Sequence, residues 1–300
     1  MKISPKLLII LAVLFWSGNF FLGKIAVQVI PPMTLSFLRW FQAFVLFLPF
    51  CLKEIRENHK EMRENWQLFF MLGITGMMGF NVFVYSAVKY TTAINATIIN
   101  ASTPMFTAIL ALFYLKEKLS MKQGLGIVLA FSGVVWIIIK GNLAKLVEMS
   151  FNPGDLIMLL AVGFNALYFI ILKLRGNLVH PKILFLGSIL GGLVVGLPLL
   201  IVESYSNGLS WIAQLELIHY LSLIYFGIFP TILSFLFFNR AVLEIGPIKA
   251  SIYLNLQIVF TSILGMTFLG ERLYVFHLIG GILIVNGVLI TNSRNNSTKE

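Results

Sequence analysis

The sequence has very few acidic residues and a single cysteine. Only 12 of its 300 residues are Asp or Glu, and Asp155 is the one aspartate. Cys51 has no partner, so an intrachain disulfide and a cysteine-based metal site are excluded. No carboxylate lies in the middle of an apolar run, where membrane proteins that exchange protons place such a group. The sequence therefore lacks a carboxylate of the kind that binds and releases protons inside an apolar segment.

Charge is scarce in general, since 11% of the residues are charged and 58% are hydrophobic, with a mean hydropathy of +0.91. A water-soluble chain of this size needs far more charge on its surface. A membrane-spanning helix needs about 20 apolar residues. Ten such runs predict an all-α integral membrane protein with ten transmembrane helices: residues 7–28, 34–52, 67–88, 93–115, 124–139, 155–174, 183–201, 217–238, 250–268 and 275–291.

The motifs of catalysis are missing as well. The four histidines lie in loops or at the ends of runs, and no Ser/His or Asp/Asp pair falls inside a run. No metal cluster and no phosphate-binding loop is evident, so we predict neither an enzyme nor a bound cofactor. The net charge of +10 sits in short turns between apolar runs, which indicates membrane topology rather than binding to nucleic acid.

The chain contains one unit written twice. A shift of 154 positions places Leu115-Lys116-Glu117-Lys118-Leu119 on Leu269-Gly270-Glu271-Arg272-Leu273 and aligns two glycines of the following run. A shift of 149 positions pairs the earlier parts, including Pro32 with Pro181. The sequence therefore predicts a first five-helix repeat over residues 1–148, a second over 149–292, and a polar tail over 293–300.

The distribution of Lys and Arg predicts the orientation. With the N-terminus inside, sixteen of these cations lie on the inner side and five on the outer side, which places both termini in the cytoplasm. An odd number of helices per repeat inverts the second copy relative to the first. Two inverted five-helix repeats are the architecture of a secondary transporter with a central site and alternating access.

Several segments together resemble the EamA-type transporters of the drug/metabolite transporter superfamily. They are Trp16-Ser17-Gly18-Asn19-Phe20, Leu38-Arg39-Trp40-Phe41-Gln42-Ala43, Thr103-Pro104-Met105-Phe106 and the twice-written Leu-x-Glu-Lys/Arg-Leu. The resemblance implies a ten-helix carrier of the cell membrane, often an exporter of amino acids or other small metabolites. The second copy departs from the pattern, because Ile258 stands in the register of Pro104.

Polar side chains in the middle of apolar runs must face the bundle interior or a watery cavity. Many of them recur on corresponding helical faces of both copies, which predicts a cavity lined by helices 1, 3, 4, 6, 8 and 9. Packing between helices through the same groups is the alternative. The predicted substrate-binding residues are Trp16, Asn19, Asn81, Tyr85, Asn100, Thr103, Asn165, Tyr168, Asn239, Tyr253, Gln257 and Arg39.

Four charged residues allow more than one interpretation. Arg39 lies about 9 Å inside the second run, where it could contact a substrate carboxylate; we favour a guanidinium that turns outward to backbone carbonyls or helix ends. Lys24, near the outer surface, is open to a topological or a gating role. Glu117 and Glu271 lie at hairpin tips, where a helix-end cap or local salt bridge is favoured over a coupling cation.

The glycines of runs 5, 7 and 10 are predicted to be scaffold, because Gly126/Gly133 and Gly280/Gly287 recur at seven residues among apolar neighbours. The function predicted first is a carrier of small neutral or zwitterionic metabolites in a lipid bilayer. A translocase or sensor of lipids or amphipathic molecules, and a passive channel, remain alternatives. Because no carboxylate lies in the middle of an apolar run, we expect transport driven by the substrate gradient, without proton coupling. Substrate, direction and oligomeric state are left open by the sequence.

Overall fold

A computed structural model of the chain describes residues 4–114, 116, 120–148, 151–245 and 253–292. Within these residues, eight helices are long and apolar enough to cross a membrane, and two further apolar helices are shorter. In chain order the ten are α1 (Pro5–Ala26), α2 (Pro32–Phe47), α3 (Trp66–Tyr90), α4 (Ala93–Tyr114), α5 (Met121–Ile138), α6 (Pro153–Arg175), α7 (Pro181–Asn207), α8 (Leu217–Ile245), α9 (Leu256–Phe268) and α10 (Val275–Asn292).

Short helical pieces connect some of these elements. A 3₁₀ turn at Leu48–Cys51 and the helices Leu52–Glu57 and His59–Glu64 follow α2, and Ala144–Glu148 precedes α6. Helix starts follow the sequence signals, since Pro32 and Pro181 occupy the first turns of α2 and α7. Asn152 caps α6 by accepting a hydrogen bond from the Gly154 amide. The predicted start at Pro247 lies outside the described residues.

Two helices contain a wider turn that the apolar pattern did not predict. The backbone of α3 is π-helical over Gly73–Gly79, and that of α8 is π-helical over Gly227–Leu233. The two segments are 154 positions apart, the shift that relates the two hairpin sequences. In α8 the cause is local: Pro230 has no amide hydrogen to donate to the carbonyl of Phe226, so the regular ladder is interrupted there.

Glycines bring pairs of helices into backbone contact. A Cβ added to Gly287 of α10 would lie 2.4 Å from the amide nitrogen of Ala130 in α5, and one added to Gly133 would lie 2.8 Å from the carbonyl oxygen of Gly280. The helices α7 and α3 also meet at a glycine, since a Cβ added to Gly191 would lie 2.4 Å from the carbonyl oxygen of Phe69. The predicted scaffold role of these glycines is therefore confirmed for the contacts between α5 and α10 and between α3 and α7.

The glycine contact makes a test of packing possible. Gly287→Ala should destabilise the protein by about 1–3 kcal/mol, because the new methyl group must push α5 and α10 apart. Gly163→Ala in α6 is the matched control, since nothing lies within 4 Å of its added Cβ. Thermal unfolding in detergent would measure both variants. Equal melting temperatures for the two would contradict the close packing of α5 and α10.

Candidate functional site

Five polar side chains from four helices meet in the interior of the bundle. Arg39 of α2 donates from Nε to Thr231 Oγ1 at 2.9 Å and from Nη1 to the side-chain oxygens of Asn19 (2.8 Å) and Asn81 (2.6 Å). Nη1 also lies 3.2 Å from the hydroxyl of Tyr85, which itself donates to Asn19 Oδ1 at 2.8 Å. We call these five residues the Arg39 cluster.

The π-helical segments place two members of this cluster. Thr231 follows Pro230, and its hydroxyl donates to the Phe226 carbonyl, five residues earlier, at 2.7 Å. It thereby supplies the donor that proline lacks, while its oxygen remains free to accept from Arg39. Asn81 stands just past the π-helical segment of α3 and donates to the Met77 carbonyl at 2.9 Å. Its carbonyl oxygen is left to point at the guanidinium.

The guanidinium of Arg39 is enclosed but not neutralised. The residue is 5% exposed, and no carboxylate lies at ion-pair distance within the described part of the chain. Its Nη2 makes no hydrogen bond to any described residue. The favoured expectation of an outward turn to backbone carbonyls is wrong, because every hydrogen bond of Arg39 goes to a side chain inside the bundle.

The structure brings only part of the predicted residue set to this cluster. Trp16 lies nearby and donates from Nε1 to the Pro230 carbonyl at 2.9 Å. In α4 the hydroxyl of Thr103 donates a hydrogen bond to the backbone carbonyl of Asn100. The ring of Tyr168 packs beside Gly76. Tyr253 packs near Leu8 and Ile9. Asn165 and Gln257 are partly buried in α6 and α9, and the side chain of Asn239 lies outside those described.

A second polar cluster lies at one end of the bundle, where α3, α4, α6 and α10 begin or end. Asp155 is completely buried and accepts hydrogen bonds from Thr91 Oγ1 (2.5 Å) and Asn95 Nδ2 (3.2 Å). His277 Nε2 lies 2.8 Å from Asn95 Oδ1. A cavity of about 700 Å³ opens beside them and is lined by Lys24, Tyr90, Thr91, Thr92, Asn95, Lys140, Asn152, Gly270, Arg272, Tyr274, Phe276 and His277.

Helix ends around this cavity are held by charged side chains. Lys24 Nζ donates to the carbonyls of Val88 (2.6 Å) and Thr91 (2.7 Å) at the end of α3. Glu271 accepts from the amides of Ala93 (2.7 Å) and Ile94 (3.0 Å), so the α9–α10 hairpin caps α4. The predicted cap role is thus seen for Glu271, whereas Glu117 lies outside the described residues.

Sequence reasoning missed Thr231, Asp155 and His277 as members of polar clusters. Thr231 was not singled out, although Pro230 inside an apolar run is a signal of an interrupted ladder that a neighbouring hydroxyl can satisfy. Asp155 is the first residue of the sixth predicted run, and His277 lies at the start of the tenth. Both positions are as predicted, but the side chains are buried against neighbouring helices.

Apolar helices around a buried polar cluster are typical of membrane transport proteins. The model of the EamA-like transporter family matches two segments, residues 4–139 and 152–293. The chain therefore belongs to the EamA-like transporter family, within the drug/metabolite transporter superfamily. This membership indicates a multi-pass membrane transporter rather than an enzyme.

Relatives of the chain extend across bacteria, archaea and plants. An uncharacterized transporter of Bacillus subtilis (strain 168), YyaM, is 28% identical over 92% of this chain and 89% of its own. An uncharacterized transporter of Archaeoglobus fulgidus is 25% identical over 98% and 99%, and a WAT1-related protein of Arabidopsis thaliana is 26% identical over 77% and 72%. Among solved structures of similar fold, a crystal structure has a TM-score of 0.60 and 18% identity, covering 96% of this chain and 97% of its own.

The cap on α4 can be tested through stability. Glu271→Ala should lower the free energy of unfolding by about 0.5–2 kcal/mol, because two amides at the start of α4 lose their acceptors. Glu57→Ala is the control: it removes a carboxylate whose ion pair with Lys53 is exposed and worth about 0–1 kcal/mol. Thermal unfolding compares the two variants. A Glu271→Ala protein as stable as the wild type would show that the cap contributes nothing.

Proposed function

We propose that this protein is a secondary carrier that exports small metabolites bearing a carboxylate, such as amino acids, through a central site at the Arg39 cluster. The observation that carries the proposal is the buried guanidinium of Arg39, which has four side-chain partners, no anionic partner among the described residues and a free Nη2. The proposal places the protein in the cell membrane with both termini in the cytoplasm.

Electrostatics favours an anionic group at this position. A charge removed from water is costly unless another charge compensates it, and the four partners of Arg39 are all neutral. A carboxylate can bind a guanidinium through two parallel hydrogen bonds, of which Nη2 can supply one. A zwitterionic amino acid would supply that carboxylate, while the rings of nearby aromatic residues such as Trp16 suit its ammonium group or apolar side chain.

Three buried polar side-chain atoms of α2 lack a hydrogen-bond partner among the described residues. They are Ser36 Oγ, Trp40 Nε1 and Gln42 Oε1. Trp40 also packs its ring 5.2 Å from the guanidinium carbon of Arg39. Buried polar groups without partners are uncommon in folded proteins and often mark functional sites. They support a site on α2 that is completed by a ligand.

Alternating access is proposed from the duplication. The family model matches the chain twice, and the two π-helical segments stand at the same register of the two copies. Both features support two inverted five-helix repeats, whose exchange of shape would open the Arg39 cluster to either side in turn. The Arg39 cluster draws unequally on the copies, since Thr231 alone comes from the second. We therefore expect the two halves to contribute differently to substrate binding.

Variants of Arg39 test the site. Counterflow of amino acids into proteoliposomes should fall by more than about tenfold in Arg39→Gln, or on the order of 1.4 kcal/mol, because the anion loses its charged donor. Arg39→Lys should fall as well, since an ammonium cannot replace the planar fork. Arg240→Gln is the matched control, because Arg240 is exposed and pairs with Glu244 on its own helix.

Stability separates a binding role from a structural one. Removing a buried, unpaired charge need not destabilise a fold, so Arg39→Gln should reach the membrane in normal amounts with an unfolding midpoint near that of the wild type. Loss of folded protein in Arg39→Gln would instead show that the Arg39 cluster stabilises the fold and would contradict a role limited to substrate binding. Flux that does not saturate and shows no trans-stimulation would identify a channel.

Single cysteines test the inverted topology. In a Cys51→Ser background, cysteine at Asn58 should label only after the membrane is opened, because that residue lies in the basic segment predicted to be cytoplasmic. Cysteine at Asn207 should label from outside intact cells. An impermeant maleimide makes the measurement. If both positions label from the same side, the topology with ten helices and inverted repeats fails.

A further inference from the structure

The carboxylate of Asp155 is buried without a cationic partner. Its relative exposure is 0%, and no described cation lies at ion-pair distance from it. Its partners are two neutral donors, the hydroxyl of Thr91 and the amide of Asn95, whose Nδ2 lies 3.2 and 3.3 Å from the two carboxylate oxygens. Such a group can change its charge state, because the hydrogen bonds from Thr91 and Asn95 stabilise the carboxylate, whereas burial without an adjacent cation favours the neutral acid.

Asp155 is separated from the cavity by one layer of side chains. Thr91, Asn95 and His277 form the buried floor of the cavity, while Tyr90, Lys140 and Arg272 stand at its exposed rim. His277 Nδ1 accepts from the amide of Tyr274 at 2.9 Å, so its proton is on Nε2 and is donated to Asn95 Oδ1. A small shift of Thr91 or Asn95 would expose the carboxylate to water.

The charges around Asp155 come from several elements. Lys24 of α1 binds the Thr91 carbonyl, and Lys140 and Lys145 beyond α5 lie close enough to act on the charge of Asp155. The α9–α10 hairpin adds Glu271 and Arg272, and α10 adds His277. Of these groups, Glu271 is occupied as the cap of α4. Asp155 lies in the first turn of α6, where the helix dipole stabilises a negative charge. Burial opposes this effect, because it removes the carboxylate from water.

We propose that Asp155 is a proton-binding site whose protonation loosens this end of the bundle and couples proton movement to transport. The proposal rests on the carrier function proposed above and departs from the expectation of uncoupled transport. That expectation assumed that no carboxylate is buried. Asp155 lies near a helix end rather than at mid-depth, yet it is enclosed by α3, α4 and α6.

The proton step changes the hydrogen bonds between helices. A proton from water in the cavity forms an O–H bond with one carboxylate oxygen, and the net charge of the side chain goes from −1 to 0. The protonated oxygen becomes a hydrogen-bond donor and accepts less well. The hydrogen bonds from Thr91 and Asn95, which hold α3 and α4 to α6, are therefore weakened. The loosened bundle then opens Asp155 to the opposite side of the membrane, where release of the proton to water restores the acceptor. One proton thus crosses the membrane in each cycle.

The single aspartate allows proton binding to be observed directly. Aspartate labelled with ¹³C at its side-chain carboxyl, introduced by cell-free synthesis, marks one group in the full-length protein. Its NMR signal in nanodiscs should move between the positions of a carboxylate and a carboxylic acid as pH is varied over the range in which the protein stays folded. A signal that keeps one position throughout this range would overturn the proposal, whether or not a substrate has been found.

Transport provides the second test. Wild-type proteoliposomes should accumulate substrate under an imposed pH gradient, whereas Asp155→Asn should lose this accumulation and keep counterflow within about twofold. Glu203→Gln is the control: Glu203 caps a helix through the amides of Met33 and Thr34, and neither of these partners lines the cavity. It should accumulate substrate normally.

The outcomes are distinguishable. Accumulation by Asp155→Asn equal to that of the wild type, or loss of both accumulation and counterflow in a folded variant, would overturn coupling through Asp155. Failure of wild-type counterflow with every substrate tested would count against the carrier function, while the NMR titration would still decide proton binding.

Discussion

A positive charge held inside an apolar bundle is the constraint around which the described structure is arranged. Arg39 lies on α2, and no carboxylate of a described residue is within ion-pair distance of it. Its guanidinium therefore donates its hydrogen bonds to neutral side-chain oxygens. Three other helices supply those oxygens, and two of them are interrupted by π-helical turns close to the residue concerned. The irregular backbone and the buried charge thus belong to one site.

Several of the few acidic residues accept hydrogen bonds at the ends of helices. Glu203 accepts hydrogen bonds from the first turn of α2, Glu271 from that of α4, and Asp155 links the start of α6 to α3 and α4. Glu54, which corresponds to Glu203 under the shift of 149 positions, pairs with Lys182 near the start of α7. Glu203 and Glu271 thus satisfy backbone amides that lipid cannot, and Asp155 and Glu54 bind polar side chains at helix ends, away from Arg39.

Periodicity and composition were enough to predict the all-helical fold, the membrane class and the close glycine contacts, because these depend on residue type and spacing alone. They also selected Asn19, Asn81 and Tyr85, since polar residues inside apolar runs must face inward. Thr231 was missed because a π-helical turn changes which residues share a face. Asp155 was misjudged because distance from a helix end indicates depth in the membrane but not burial against neighbouring helices.

The central claim is that the charge of Arg39 is completed by the carboxylate of a substrate. Counterflow measured with an amino acid and with the amine that lacks its carboxylate tests this most directly, since the two solutes otherwise share their shape. The account predicts that the amine exchanges at least about tenfold less well, which corresponds to about 1.4 kcal/mol. Equal exchange of the amine and the amino acid would contradict it.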